Sequence, residues 1–189
     1  MIHNSDRSGW FGASDTSMVV GNWKTNTFKK WWAEKLGFAE NTISTKAMRL
    51  GTEYEHAILD CLYCKKDEQL KIENLRLRVN YDGTTNDIVY EVKTHKADKP
   101  FKVSKAYWRQ AQVEMYCFEQ VKGILPLHYF VAYPLGEKEY KNYFCDIDES
   151  KILMLKTEYD ENFINNEYLP KLEYLADCLT KGTYPVWNQ

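Results

Sequence analysis

The chain lacks any apolar run of the length needed for a membrane-spanning helix or for the core of a secretion signal. We therefore predict a cytoplasmic protein with no membrane partner. The chain also lacks linkers, internal repeats and low-complexity segments. Its 189 residues, of which 44% are hydrophobic, suffice to bury one core, so the prediction is a single domain over residues 1–189.

A regular framework of cysteine pairs is also absent. The chain has five scattered cysteines, an odd number, which excludes a disulfide framework and indicates reduced thiols. Cys61 and Cys64 have the spacing of metal ligands, but no second pair accompanies them. A zinc or iron–sulfur site at these two residues stays open as the alternative to two structural thiols.

The chain does contain a pattern of two acids and a lysine between Asp82 and Lys93. The segment 75–94 reads as two strands around a polar turn, so Asp82 lies across a hairpin from Glu91 and Lys93. Residues two apart in a strand share a face, so Glu91 and Lys93 point together. The side chain of Val92 points away and leaves its backbone carbonyl near the two acids.

This set of donors is typical of a metal-dependent phosphodiesterase. Two carboxylates and a carbonyl form an all-oxygen shell that suits Mg²⁺ or Mn²⁺. A lysine beside such an ion stabilises the negative charge that develops on a phosphate. The alternative is a hairpin whose acids and lysine are simply solvated, since that hairpin would show the same spacing.

Two further polar residues favour the phosphodiesterase interpretation. The periodicity of residues 45–66 predicts a helix whose apolar stripe includes Glu55 but not Glu53. A lone buried carboxylate is costly, so Glu55 needs a metal, a cation or a proton. Gln110 lies within the apolar stripe of a later helix. The alternatives are a core glutamate paired with Arg49 and a hydrogen-bonded core glutamine.

Charge is divided unevenly along the chain, although the net charge is only −2. Residues 1–112 carry 18 Lys and Arg against 14 Asp and Glu, whereas residues 113–189 carry 7 against 13. We predict that the front half binds DNA, with Lys96 and Lys99 among the contacts. A solvated lysine loop is the alternative. The basic residues that follow Glu91 are Lys93, Lys96, Lys99, Lys102, Lys105 and Arg109.

The order of predicted elements indicates an α/β fold with a small mixed central sheet flanked by helices. Helices are predicted over 14–20, 27–36, 45–65 and 104–121, a hairpin over 75–94, strands over 127–134 and 140–147, and then helices to about 181.

With these residues in view, the chain resembles the lambda-exonuclease-like (YqaJ-type) viral recombinase nucleases of the PD-(D/E)xK superfamily. The resemblance covers residues 7–120 and is carried by five blocks that occur in the family's order. The blocks are Arg7-Ser8-Gly9-Trp10-Phe11-Gly12-Ala13-Ser14-Asp15; Asn22-Trp23-Lys24-Thr25 with Trp31-Trp32-Ala33-Glu34-Lys35-Leu36-Gly37; Met48-Arg49-Leu50-Gly51-Thr52-Glu53-Tyr54-Glu55; Asp82-Gly83 with Glu91-Val92-Lys93; and Tyr107-x-x-Gln110-x-Gln112.

The resemblance implies a PD-(D/E)xK core and a Mg²⁺-dependent deoxyribonuclease with two ions in its site. It implies that Asp82, Glu91 and the Val92 carbonyl bind metal and that Glu55 binds a second ion or its water. Lys93 and Gln110 would orient and stabilise the attacking water.

The resemblance also implies an exonuclease that degrades double-stranded DNA ends 5′→3′ in phage-type recombination. Arg7 and Ser14 would hold the 5′-terminal phosphate, with Ser14 also capping a helix over 15–20. A trimeric ring, a single-strand annealing recombinase as partner and a bacterial or phage-infected cell are implied as well. A structure-specific or restriction-type endonuclease and a catalytically silent DNA-binding subunit remain as alternatives.

The chain departs from the family pattern in three places near the site. One is Thr94-His95, where the family often has Cys-Pro after its Glu-x-Lys. Asn80-Tyr81 stands where the family usually has Ser-Pro, so the resemblance does not carry over one phosphate contact. The family has a further acid before the aspartate, and Glu73 is the candidate for it by position.

Overall fold

The protein is described here by a computed structural model of residues 8–39, 46–142 and 146–186, with the side chains of 46–48 left out. Arg7 therefore lies outside the described residues. The α-helices are α1 (Thr16–Val19), α2 (Asn26–Lys35), α3 (Lys46–Asp60), α4 (Lys105–Lys122), α5 (Glu137–Lys141) and α6 (Leu169–Lys181). The strands are β1 (Lys65–Ile72), β2 (Leu77–Thr84), β3 (Ile88–Lys96), β4 (Leu127–Leu135) and β5 (Leu153–Thr157).

The strands form one mixed sheet in the order β1-β2-β3-β4-β5. Neighbouring strands are antiparallel except β3 and β4, which run parallel with Glu91 opposite Phe130. A parallel pair needs a crossover, and α4 supplies it between these two strands. The motif strand β3 is therefore central, and α4 is connected to its carboxyl end.

Helices pack on the sheet in two groups. The larger core brings α1, α2, α4 and α6 against β1 and β2. A second core packs α3, through Leu50, Tyr54 and Ile58, against side chains of β3 and β4. The motif strand thus lies between α3 and α4, the helices that carry Glu55 and Gln110.

Local sequence sets the ends of α4. The Ser104 hydroxyl accepts a hydrogen bond from the backbone N–H of Tyr107, and Gly123 ends the helix at φ 77°. These are the cap residues that helix ends favour, so this helix was predicted within one residue of its bounds. In α2, the Thr25 hydroxyl accepts a hydrogen bond from the Phe28 N–H and caps a helix that begins at Asn26.

Three sequence predictions of elements were wrong. Residues after 147 were predicted to be helical to about 181, but Leu153–Thr157 form the strand β5. The predicted strand over 140–147 is occupied in its first part by α5, because Glu139 accepts a hydrogen bond from the Gly136 N–H and closes a helical turn. Residues 143–145 lie outside the described part. The helix predicted over 45–65 ends at Asp60, and the strand β1 that follows it was missed because its residues are mostly charged or polar.

The fold class is confirmed: the structure is a mixed α/β arrangement with a five-stranded sheet between helices. Among the described residues, no helix is both long enough and apolar enough to cross a membrane.

Burial predicts where truncation destabilises the fold. Phe118 on α4 is 1% exposed, whereas Phe38 is 82% exposed. Phe118→Ala should lower the free energy of unfolding by about 3–5 kcal/mol, because it leaves a cavity in the larger core. Phe38→Ala, the same substitution on the surface, should change it by less than about 0.5 kcal/mol. Urea denaturation of both variants checks this, and equal losses would contradict the assigned core.

Candidate functional site

The candidate site opens where β2 and β3 separate. These strands pair at Gly83 with Tyr90 and at Thr84 with Val89. Beyond that point the Val92 N–H donates to the Asp82 carboxylate over 2.8 Å instead of to a strand backbone. Because the N–H and C=O of one residue in a strand point to the same side, the Val92 carbonyl also faces the edge that carries Asp82.

Glu91 and Lys93 share a face of β3, as their spacing predicts. The Lys93 ammonium donates a short hydrogen bond to the Glu91 carboxylate, and it lies 4.8 Å from the centre of the Tyr107 ring. Burial alone would lower the pKa of Lys93, but the charge and hydrogen bond of Glu91 outweigh burial and raise it. Lys93 therefore carries its positive charge at neutral pH.

Gln110 reaches this pair from α4. Its amide nitrogen Nε2 donates to Glu91 Oε1 over 2.6 Å and to Glu114 Oε1 over 2.7 Å. Gln112, the second glutamine of the same motif, points elsewhere: it bonds the Glu158 carbonyl and the Asp160 N–H. Gln110 is therefore part of the candidate site, whereas Gln112 holds a distant loop.

Three carboxyl groups around Lys93 disfavour one another's ionisation. The pKa of Asp82 is raised well above its usual value by burial, then by the charges of Glu91 and Glu55. The pKa of Glu55 on α3 is raised to about 7 by burial, then by Glu91 and Asp67. Burial and Glu114 likewise raise the pKa of Glu91. Like charges confined in a buried space in this way are relieved by a proton or by a cation.

Asp67 and His56 belong to the surroundings of Glu55, and sequence reasoning missed both. Ligand atoms of Glu55, His56 and Asp67 all lie within 4.8 Å of one another, and His56 Nε2 is 3.0 Å from Asp67 Oδ2. The pairing of β1 with β2 puts Asp67 opposite Asp82, in a left-handed conformation with φ 57°.

Asp67 was missed because the strand that carries it, β1, was not predicted. Only the pairing of β1 with β2 brings Asp67 near Asp82, and no periodicity marks that strand. Glu73, the candidate by position, is exposed in the turn after β1. It lines neither of the two cavities described below.

A cavity of about 280 Å³ extends from the acids toward the N-terminal segment. Ser14 lines its far wall, but Ser14 is exposed inside a 3-10 turn (Ala13–Asp15) and does not cap a helix. The predicted cap was wrong because Gly12 occupies the cap position and α1 is only four residues long. The residues lining this cavity are Trp10, Phe11, Gly12, Ala13, Ser14, Asp15, Lys35, Arg78, Asn80, Asp82, Glu91, Lys93, Gln110 and Glu114.

The turn that carries Ser14 is held in place by half-buried polar contacts of Asp15. The Asp15 carboxylate accepts hydrogen bonds from Lys35 Nζ at 2.6 Å, from the Gly12 N–H at 2.8 Å and from Trp31 Nε1 at 2.8 Å. Lys35 is 4% exposed, so its charge is committed to Asp15. The Ser14 wall is therefore firmly anchored to α2.

A second cavity, of about 490 Å³, lies on the other side of Lys93 and is lined by Glu55, Thr52, His95 and Lys96 among others. Lys99 is exposed and does not line it. The His95 ring N–H at Nδ1 faces the carbonyl oxygens of Lys96 and Lys99, at 3.0 and 2.8 Å, and holds the start of the basic loop. Of the two predicted DNA contacts, only Lys96 lines the cavity that Glu55 also lines.

Solved exonuclease structures share this architecture. An alkaline exonuclease from Laribacter hongkongensis superposes with a TM-score of 0.60 at 20% identity, over 93% of this chain and 94% of that one. A putative exonuclease from Eubacterium rectale gives 0.60 at 11% identity, over 96% and 85%. The exonuclease-like fold is confirmed. The chain matches no protein-family model and no curated protein sequence.

The raised pKa of Glu55 predicts how stability depends on pH without metal. Glu55 is protonated in the folded state up to about pH 7 but loses its proton near pH 4.5 when unfolded, so stability falls as pH rises through this window. Glu55→Gln should therefore raise the free energy of unfolding at pH 8, by on the order of 1–3 kcal/mol relative to its effect at pH 4.

The measurement is urea denaturation in chelator at the two pH values. Glu53→Gln, an exposed neighbour on the same helix, is the matched control and should show no such difference. A Glu55→Gln effect that is the same at both pH values would contradict the electrostatic assignment.

Proposed function

We propose that this protein is a Mg²⁺- or Mn²⁺-dependent deoxyribonuclease that degrades double-stranded DNA from its ends. The observation that carries the proposal is the group of Asp82, Glu91 and Glu55, three acids with raised pKa values that face one half-buried lysine, Lys93. Such a group of acids suits a divalent cation. The protein also has the fold of solved exonucleases.

The donor set fits the implied metal. Asp82, Glu91 and the Val92 carbonyl would hold one ion, and Glu55 would hold a second with help from Asp67. All these donors are oxygens, as hard cations prefer, and His56 is a nitrogen ligand beside Glu55 and Asp67. When bound, the ions would supply an acidic water and neutralise charge on the phosphate.

Lys93 acts in this proposal as a fixed positive charge. Because its pKa is raised, it cannot accept a proton from water near neutral pH, so a role as general base is unsuitable. It can stabilise the charge that develops on the scissile phosphate. Gln110, held against Glu91, would orient the attacking water through its remaining amide oxygen.

Preference for ends rests on the cavity that joins the acids to the Ser14 wall. A terminal phosphate placed there would meet the Ser14 hydroxyl and the Arg78 side chain, which lines the same cavity. Arg7 stays a predicted contact. The 5′→3′ direction, the trimeric ring, the cytoplasmic location and a single-strand annealing partner also remain predictions.

The assay uses one plasmid in three forms: closed circular, linear with 5′-phosphates and linear with 5′-hydroxyls. With Mg²⁺ we expect digestion of the linear forms, roughly 10- to 100-fold faster with the phosphate because one charged contact is gained. Chelator should stop it. Cleavage of closed circles would indicate the endonuclease alternative, and no cleavage of any form would indicate a silent DNA-binding subunit.

Lys93→Ala tests the chemistry in the same assay. Turnover should fall by about 10²-fold or more while DNA affinity changes little, because the lysine acts on charge that develops during the reaction. Lys181→Ala, which removes an exposed lysine paired with Asp177, is the control and should leave turnover unchanged. Wild-type turnover in Lys93→Ala would contradict the assignment of this site.

A further inference from the structure

A buried acid–histidine pair lies behind the candidate site and is not part of the sequence motifs. Glu114 is 1% exposed and His128 is fully buried. Glu114 Oε2 is 2.7 Å from His128 Nε2, and Glu114 Oε1 accepts the bond from Gln110 described above. The pair thus connects β4 to α4 and ends at the amide that touches Glu91.

The ionisation of Glu114 determines which groups donate and which accept in these contacts. Burial would raise the pKa of Glu114, but the bond and charge of His128 outweigh it and lower the pKa, so Glu114 is ionised and accepts from both neighbours. Its partner nitrogen on His128 therefore carries a proton. His128 Nδ1 has no hydrogen-bond partner within the described residues.

The two carboxylate acceptors also determine the orientation of the Gln110 side-chain amide. Both of its N–H groups are directed at carboxylates, one on Glu91 and one on Glu114. Turning the amide over would place its carbonyl oxygen against two carboxylates, which is repulsive. The amide oxygen Oε1 is thus left for the cavity that Gln110 lines.

We propose that Glu114 and His128 are positioning residues that hold the Gln110 amide with its oxygen toward the reacting water. This inference deepens the proposed nuclease function and rests on it. A purely structural pair would be replaceable, because buried ion pairs exchanged for apolar residues of similar size often leave stability unchanged or improved. Positioning, by contrast, requires the acceptor on Glu114 and the donor that orients it.

The kinetic test replaces the pair by apolar residues, Glu114→Leu with His128→Phe, in wild-type and Gln110→Ala backgrounds. With Gln110 present, kcat should fall about 10-fold while KM for DNA stays within about 2-fold, because only the orientation of the amide is lost. With Gln110→Ala, the apolar replacement should add less than a 2-fold loss. Equal losses in both backgrounds, or no loss with Gln110 present, would overturn the inference.

Two further variants separate positioning from folding. Gln112→Leu removes a fully buried amide of α4 that bonds a distant loop, so it should lower stability without changing kcat per folded molecule. His128→Gln keeps a donor for Glu114 and should restore most of the kcat that His128→Phe loses. Failure of His128→Gln to exceed His128→Phe would count against the role of the donor.

A measurement on the metal-free protein separates this inference from the nuclease proposal. The side-chain amide protons of Gln110, identified by NMR through their loss in Gln110→Ala, should exchange with water at least about 10-fold faster after the apolar replacement. Unchanged exchange would overturn the inference even in an active nuclease. Faster exchange in a protein that cleaves no DNA would support the amide geometry and contradict only the proposed function.

Discussion

Repulsion among buried carboxyl groups is the constraint on which the rest of this site depends. Asp82, Glu91 and Glu55 come from two strands and a helix, and burial raises the pKa of each. The charge of Glu91 adds to this for Asp82 and Glu55, and the charge of Glu114 adds to it for Glu91. A single ammonium, Lys93, offsets only part of that charge. Packing of α3 and α4 on the sheet must therefore hold these groups together against an unfavourable interaction. Binding of a divalent cation would turn the same arrangement into a favourable one.

The fold creates the site by interrupting regular pairing. Where β2 and β3 separate, a carboxylate replaces a backbone acceptor for the Val92 N–H, and the opening between the strands forms part of a cavity. Opposite this point, Asp67 adopts a left-handed conformation in β1. Strained or irregular backbone of this kind is common at functional sites, and here two irregularities flank the same aspartate. On the other side, Gln110 bonds both Glu91 and Glu114, and so connects the opening to the buried face of α4.

The sequence predicted those parts of the site that depend on periodicity. Glu91 and Lys93 share a face because strand residues two apart must, and Gln110 meets them because α4 follows β3. Asp67, Glu114 and His128 were not predictable in this way, since their proximity comes from the pairing of distant strands and the packing of α4 on β4. The predicted Ser14 cap was wrong because Gly12, two residues earlier, occupies the cap position. Such a shift within one helical turn leaves no signal in the sequence pattern. Charged β1 and short β5 were missed because edge strands carry little periodic signal.

The most direct test of the central claim is calorimetric titration of the metal-free protein with Mn²⁺ at pH 6 in buffers of different ionisation enthalpy. If the cation relieves repulsion among acids that are still partly protonated, binding must release protons, and the measured enthalpy will depend on the buffer. The release should shrink at pH 8, above the pKa of about 7 for Glu55, and Glu91→Gln should weaken binding at least about 10-fold. No binding, or binding whose enthalpy at pH 6 is the same in every buffer, would contradict the account.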